Sequence, residues 1–169
     1  MMFVDFHALA TQCAPSVAPA TLRAIAYVES GFNPYAIGVV GNRLQRQPKN
    51  LPEAMSTANA LKEAKVRFSA GMIQIYVGNW SAYNLNAETA FDPCANMRAA
   101  AGILGNCYAR AKSKQSDSQV ALKQALSCYY SNNFVTGFQH GYVQKVVAAA
   151  QRFGAQAPKN LPVAAATGI

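Results

Sequence analysis

The pair Asp92-Pro93 constrains the chain more than any other feature. Asp is a favoured N-cap and Pro a favoured first helical residue, so the pair opens a helix that should run to about Lys112. That helix carries two of the four cysteines, Cys94 and Cys107. At about 1.5 Å of rise per residue they stand about 20 Å apart. A disulfide needs Cα atoms within about 7 Å, so these two do not pair. Two connectivities remain: Cys13–Cys94 with Cys107–Cys128, towards which the reading leans, or Cys13–Cys107 with Cys94–Cys128. No C-x-x-C pair occurs, which argues against zinc-finger and thioredoxin-like sites. An even number of widely spaced cysteines suits two disulfides in an oxidising compartment.

The other segments are also mostly helical. Phe3, Phe6, Leu9 and Ala10 form one apolar stripe, and Leu22, Ile25, Ala26 and Val28 form a second over about 19–30. Gly31 is a natural terminator for the latter. Pro52-Glu53 opens a helix to about Val66, and further helices cover about 117–130 and 140–153. Residues 35–51 read as loop with room for a short hairpin, and 68–77 as buried helix or strand. The expected fold is mainly α, a single helical domain over 1–153 with at most a small β-hairpin, followed by an Ala- and Pro-rich flexible tail over 154–169. No stretch is long and apolar enough for a spanning helix. Residues 1–12 have neither the basic n-region nor the long apolar h-region of a signal peptide.

Charge narrows the partners. Fifteen Lys and Arg against seven Asp and Glu give a formal net charge of +8. That balance suits an anionic partner: nucleic acid, an acidic lipid surface, or an anionic cell-wall polymer. Nothing beyond net charge favours nucleic acid. The two histidines neighbour no credible nucleophile, and no phosphate-binding glycine pattern occurs, so neither metal nor cofactor is expected.

Of the seven carboxylates, six have ordinary places. Asp92, Asp117 and Glu53 sit at helix starts, Glu63 lies between lysines, and Asp5 and Glu88 have no special context. Glu29 differs. It falls in the last turn of an apolar helix, where the dipole's negative end disfavours a carboxylate. Its apolar neighbours imply partial burial. Both effects favour the neutral acid, which is what a general acid needs.

Three motifs then carry a resemblance. Glu29-Ser30 followed by Gly31-Phe32-Asn33-Pro34, the block Ser69-Ala70-Gly71-Met72-Ile73-Gln74-Ile75, and Ala125-Leu126-Ser127-Cys128-Tyr129-Tyr130-Ser131-Asn132-Asn133 resemble, in order and spacing, the motifs of lysozyme-like lytic transglycosylases. The details look most like the transglycosylase subunit of VirB-type type IV secretion systems. The resemblance covers about residues 5–152. It implies a lysozyme-like fold and a monomeric periplasmic enzyme. The enzyme would cleave the β-1,4 bond between N-acetylmuramic acid and N-acetylglucosamine in peptidoglycan and leave a 1,6-anhydromuramoyl end. Its other partners would be components of the secretion apparatus.

The resemblance also assigns roles. Glu29 is the sole acid and base, which agrees with the lack of a convincing second carboxylate. Ser30 helps orient substrate, Gly71 lets the backbone approach the sugar, Met72 lines the groove, and Gln74 hydrogen-bonds sugar substituents. Tyr129 is expected to hydrogen-bond Glu29. Tyr76, Tyr130 and Asn133 complete the substrate contacts. The site is expected in a groove between the Glu29 helix, the 69–76 segment and the 129–133 turn. Three residues depart from the family pattern: Tyr76 and Tyr130, each where Asn is usual, and Asn132 in place of Gly. The rival reading is a catalytically silent murein-binding or scaffold subunit.

Overall fold

The computed structural model describes residues 5–154. Among them are seven α-helices and a three-stranded antiparallel sheet. The described chain forms two compact units, one of residues 29–100 and one of residues 5–28 with 101–154. It passes between them within α2 (Pro19–Ser30) and within α4 (Pro93–Lys112). Of the expected tail, all but Gly154 lies outside the described residues, as does Phe3 of the first stripe.

The discontinuous unit is all-helical. The Asp5 carboxylate caps α1 (Phe6–Cys13) by accepting from the His7 N–H at 3.0 Å. Leu22, Ile25 and Ala26 of α2 are fully buried, while Val28, the fourth residue of the expected stripe, is half-buried. Asp117 caps α5 (Ser118–Ser131) by accepting from the Gln119 and Val120 N–H groups. Helices α5, α6 (Thr136–Gln139) and α7 (Tyr142–Phe153) pack on one another. The short α6 left no periodic signal. Helix α7 starts at Tyr142 and not at about 140, because Gly141 takes a left-handed φ of 75°. A disulfide joins Cys107 to Cys128, with Cα atoms 5.7 Å apart, so the alternative with Cys13–Cys107 is excluded. Closing a loop of this length stabilises by about 3 kcal/mol in the chain-entropy picture. Cys13 and Cys94 are disulfide-bonded as well, and among the described residues no cysteine is free.

The unit of residues 29–100 holds the sheet. Strand β1 (Ile37–Val39) pairs antiparallel with β2 (Phe68–Ala70), and β2 with β3 (Ile75–Tyr76). The hairpin is therefore made by β2 and β3, within the segment whose sequence allowed helix or strand. The loop contributes a third strand. Trp80 anchors this unit at 3% exposure, edge-on to Phe68, with its indole N–H donated to the Ile75 carbonyl.

Helix α3 (Leu51–Glu63) starts one residue before Pro52, because Asn50 caps it by accepting from the Glu53 N–H. It also ends before Val66. Lys65 turns left-handed (φ 57°), and the Val66 N–H reaches back to the Leu61 carbonyl. This is a Schellman stop built without glycine, and so without the usual sequence signal.

Glu53 also accepts from the Lys49 N–H and pairs with Arg46 at 2.8 Å. Arg46 and the Lys49 N–H hold its carboxyl below the ordinary carboxylate range. The folded state thus binds this proton less readily than the unfolded one. The resulting stability is complete above the unfolded carboxylate pKa and is lost as pH falls through the lower folded value. Wild type should melt above Glu53→Gln at neutral pH, with the gap closing on acidification and shrinking in high salt. A gap independent of pH in thermal melts would contradict the pairing.

Candidate functional site

The end of α2 carries the first motif. Glu29 and Ser30 are both half-buried in its last turn. Gly31 and Phe32 follow with φ of 60° and 67°, so the chain turns left-handed twice in succession. Glycine takes this conformation freely, but phenylalanine takes it at a cost. The Ser30 hydroxyl spans the turn. It donates to the Met72 carbonyl at 2.6 Å and accepts from the Asn33 N–H at 3.1 Å. The serine beside the acid is thus a brace that ties the helix end to the second motif.

The second motif is the turn between β2 and β3. Gly71 is buried with φ 88°, and a Cβ there would fall 2.1 Å from Asn96 Nδ2 and 2.3 Å from the Ala90 carbonyl oxygen. Internal packing therefore requires glycine at this position. Asn96 itself is 0% exposed and fully bonded. Its Nδ2 donates to the Ala70 and Ala90 carbonyls, and its Oδ1 accepts from the Ile73 N–H. Met72 is 6% exposed and Ile73 fully buried, so both side chains belong to the core.

Gln74 is left-handed at φ 52°. Its Nε2 donates to the Ala36 carbonyl at 3.0 Å and to the Gly71 carbonyl at 2.8 Å. Its Oε1 lies over Gly38, where a Cβ would approach to 2.7 Å. The side chain expected to bind sugar thus spends its donors on the protein, and Oε1 is the acceptor left over. Tyr76 is 37% exposed, with its ring edge lying against Gly78.

The third motif ends α5 in the other unit. Tyr129 is half-buried and Tyr130 is 44% exposed. Asn132 adopts φ 61°, as an Asn replacing Gly can, and its Oδ1 accepts from Arg110. Asn133 is a turn-former: its Oδ1 accepts from the Val135 and Thr136 N–H groups at the start of α6. A cavity of about 610 Å³ lined by Leu44, Arg46, Pro48, Pro52, Glu53 and Thr57 includes none of the motif residues. Among the described residues no cluster of His, Cys, Asp and Glu is arranged for a metal.

Sequence reasoning missed Asn96. The available signal was an amide in the first turn of a helix, next to Met97 and the run Ala99-Ala100-Ala101. It also missed the bracing roles of Ser30 and Gln74, because donors and acceptors are visible in a sequence and their partners are not.

The chain is mainly helical with a small sheet, and the serine of its Glu-Ser pair is bonded to a Gly-containing β-turn. The chain belongs to the Transglycosylase SLT domain family, whose profile matches residues 7–140. It is 51% identical over 153 residues to the type IV secretion system protein virB1 of Brucella suis biovar 1, covering 87% of this chain and 64% of that one. Against protein virB1 of Agrobacterium fabrum it is 39% identical over 154 residues, with 90% and 62% covered. Against protein virB1 of Rhizobium radiobacter it is 38% identical over 149 residues, with 87% and 61% covered. The chain thus spans less than two thirds of the length of these curated relatives. No solved structure gives a significant match.

Removing Asn96 strands one N–H and two carbonyls in the core. Asn96→Ala should cost about 3 kcal/mol or more in urea unfolding, since each of the three buried orphans costs about 1–3 kcal/mol. Gly71→Ala should cost a similar amount through steric overlap and left-handed strain. Wild-type stability in either variant would refute this account of the turn.

Proposed function

We propose that the chain is the catalytic region of a peptidoglycan lytic transglycosylase that opens the cell wall locally for a type IV secretion or conjugation apparatus. The observation that carries the reading is the bond from Ser30 to the Met72 carbonyl. It fixes the helix end bearing Glu29 to the Gly71–Gln74 turn, in a chain of the Transglycosylase SLT domain family.

In this reading Glu29 starts as a neutral acid, favoured by the negative end of α2. It gives its proton to the glycosidic oxygen as the bond to the muramoyl C1 breaks, and the N-acetylglucosamine end leaves as an alcohol. The substrate's own N-acetyl group supports the cationic carbon. Glu29, now a carboxylate, takes the proton from the muramoyl 6-hydroxyl as that oxygen closes on C1. The acid is restored, the product is 1,6-anhydromuramoyl, and no water is consumed. One carboxyl group suffices because acid and base steps are sequential. Ser30 and Gly71 act by positioning, Met72 by packing, and Gln74 offers Oε1 to a sugar substituent. Tyr76, Tyr129, Tyr130 and Asn133 are the further substrate contacts. The two disulfides and the +8 charge fit a protein working in the periplasm on an anionic cell-wall polymer.

Glu29→Gln should reduce muropeptide release from purified sacculi by at least about 10²–10⁴-fold, the range ascribed to general acid–base catalysis. Its melting temperature should stay near wild type. Retained release would sink the assignment. Binding to sacculi by wild type, without release of any product, would favour the silent-scaffold reading.

A further inference from the structure

Tyr130 departs from the family pattern, and its surroundings give the departure a purpose. One face of its ring stacks on Tyr142, with centroids 4.6 Å apart and planes 17° apart. Tyr142 is itself buried, at 6% exposure. The Tyr130 hydroxyl sits 3.0 Å from His140 Nδ1, and the imidazole meets the ring edge-on at 5.7 Å. An exposed tyrosine at a helix end ordinarily samples several rotamers. Here one face and the hydroxyl are both engaged, and 44% of the residue still faces solvent.

The parts that hold it are themselves fixed. Ser127 is fully buried; its hydroxyl donates to the Asn133 carbonyl and accepts from the Gly137 N–H. A Cβ on Gly137 would fall 2.5 Å from Ser127 Cα, so α6 lies directly on α5. Asn133 Oδ1 accepts from the Val135 and Thr136 N–H groups where the chain enters α6. The His140 N–H bonds the Thr136 carbonyl, and left-handed Gly141 then turns the chain so that Tyr142 opens α7. His140 and Tyr142 are thereby delivered to the same ring from either side of a single glycine.

We infer that Tyr130, backed by Tyr142 and held by His140, is a platform on which a pyranose ring of the glycan stacks, and that His140 is its positioning residue. This rests on the proposed glycan substrate. A flat, uncharged face with its hydroxyl already bonded offers C–H contact and no charge recognition, which suits the apolar face of an N-acetylhexosamine. Asn at this position would offer hydrogen bonds and no ring.

The test uses the full chain in a Glu29→Gln background, so that the probe is not turned over, with the N-acetylglucosamine tetramer titrated calorimetrically. Adding Tyr130→Asn should weaken binding about tenfold, and Tyr130→Trp should restore most of it, as expected for loss and return of an aromatic contact. Tyr130→Phe and His140→Ala should each weaken binding about threefold, and the two together no more than either alone, because both remove the same hydrogen bond. Melting curves identify any variant that has failed to fold, and the Phe and Trp variants keep the stacking on Tyr142. Indifference of binding to Tyr130→Asn, additive effects of the pair, or no tetramer binding by the parent overturns the platform. Muropeptide release by wild type is read separately. Release with Tyr130-independent binding removes only the platform, and Tyr130-dependent binding without release removes only the reaction.

Discussion

The buried amide of Asn96 is the interaction on which the motif-bearing unit depends. One side chain with no solvent exposure closes three hydrogen bonds, to the end of β2, to the turn that follows it, and to the carbonyl of Ala90. In a low-dielectric core such an amide is worth keeping only if every bond is made. Its size then dictates Gly71, since a single added carbon would overlap it. Gly71 sets the turn, the turn presents the Met72 carbonyl to Ser30, and Ser30 holds the end of the helix that carries Glu29. The chain of cause runs from a core amide to the catalytic candidate through contacts of about 3 Å or less.

Left-handed non-glycine backbone occurs here, as it also does at Lys65, Asn84 and Asn132. Phe32 and Gln74, both non-glycine, occupy left-handed backbone on the two motif segments. Each such residue costs on the order of 1 kcal/mol or more, and it persists where surrounding bonds over-determine it. For Gln74 those bonds are its own side chain's donations to Ala36 and Gly71. In the proposed reaction, where one carboxyl group acts in both steps, a turn held by these bonds favours the same geometry for each.

Helix starts were legible because their chemistry is local: Asp92-Pro93, Asp117 and Pro19 mark observed boundaries. Ends were less so where a non-glycine residue turned left-handed, as Lys65 does after α3. The four-residue α6 is too short for a period, and β1 finds its partner some thirty positions away in β2, beyond any local pattern. Within the candidate site, Glu29 stood out because a carboxylate at the negative end of an apolar helix has no ordinary explanation. The work of Ser30, Gln74 and Asn133 did not, because each is a polar residue whose partners are backbone groups that the fold alone brings near. His140 looked idle in the sequence for the same reason; its partner Tyr130 lies ten residues away across the α5–α6 turn.

The central claim is that the sugar's own hydroxyl, and not water, closes on the anomeric carbon while one carboxyl group serves both steps. Mass spectrometry of muropeptides released from sacculi in heavy-oxygen water tests it directly. The account predicts 1,6-anhydromuramoyl ends that carry no heavy oxygen. Reducing muramoyl ends labelled with solvent oxygen would contradict it.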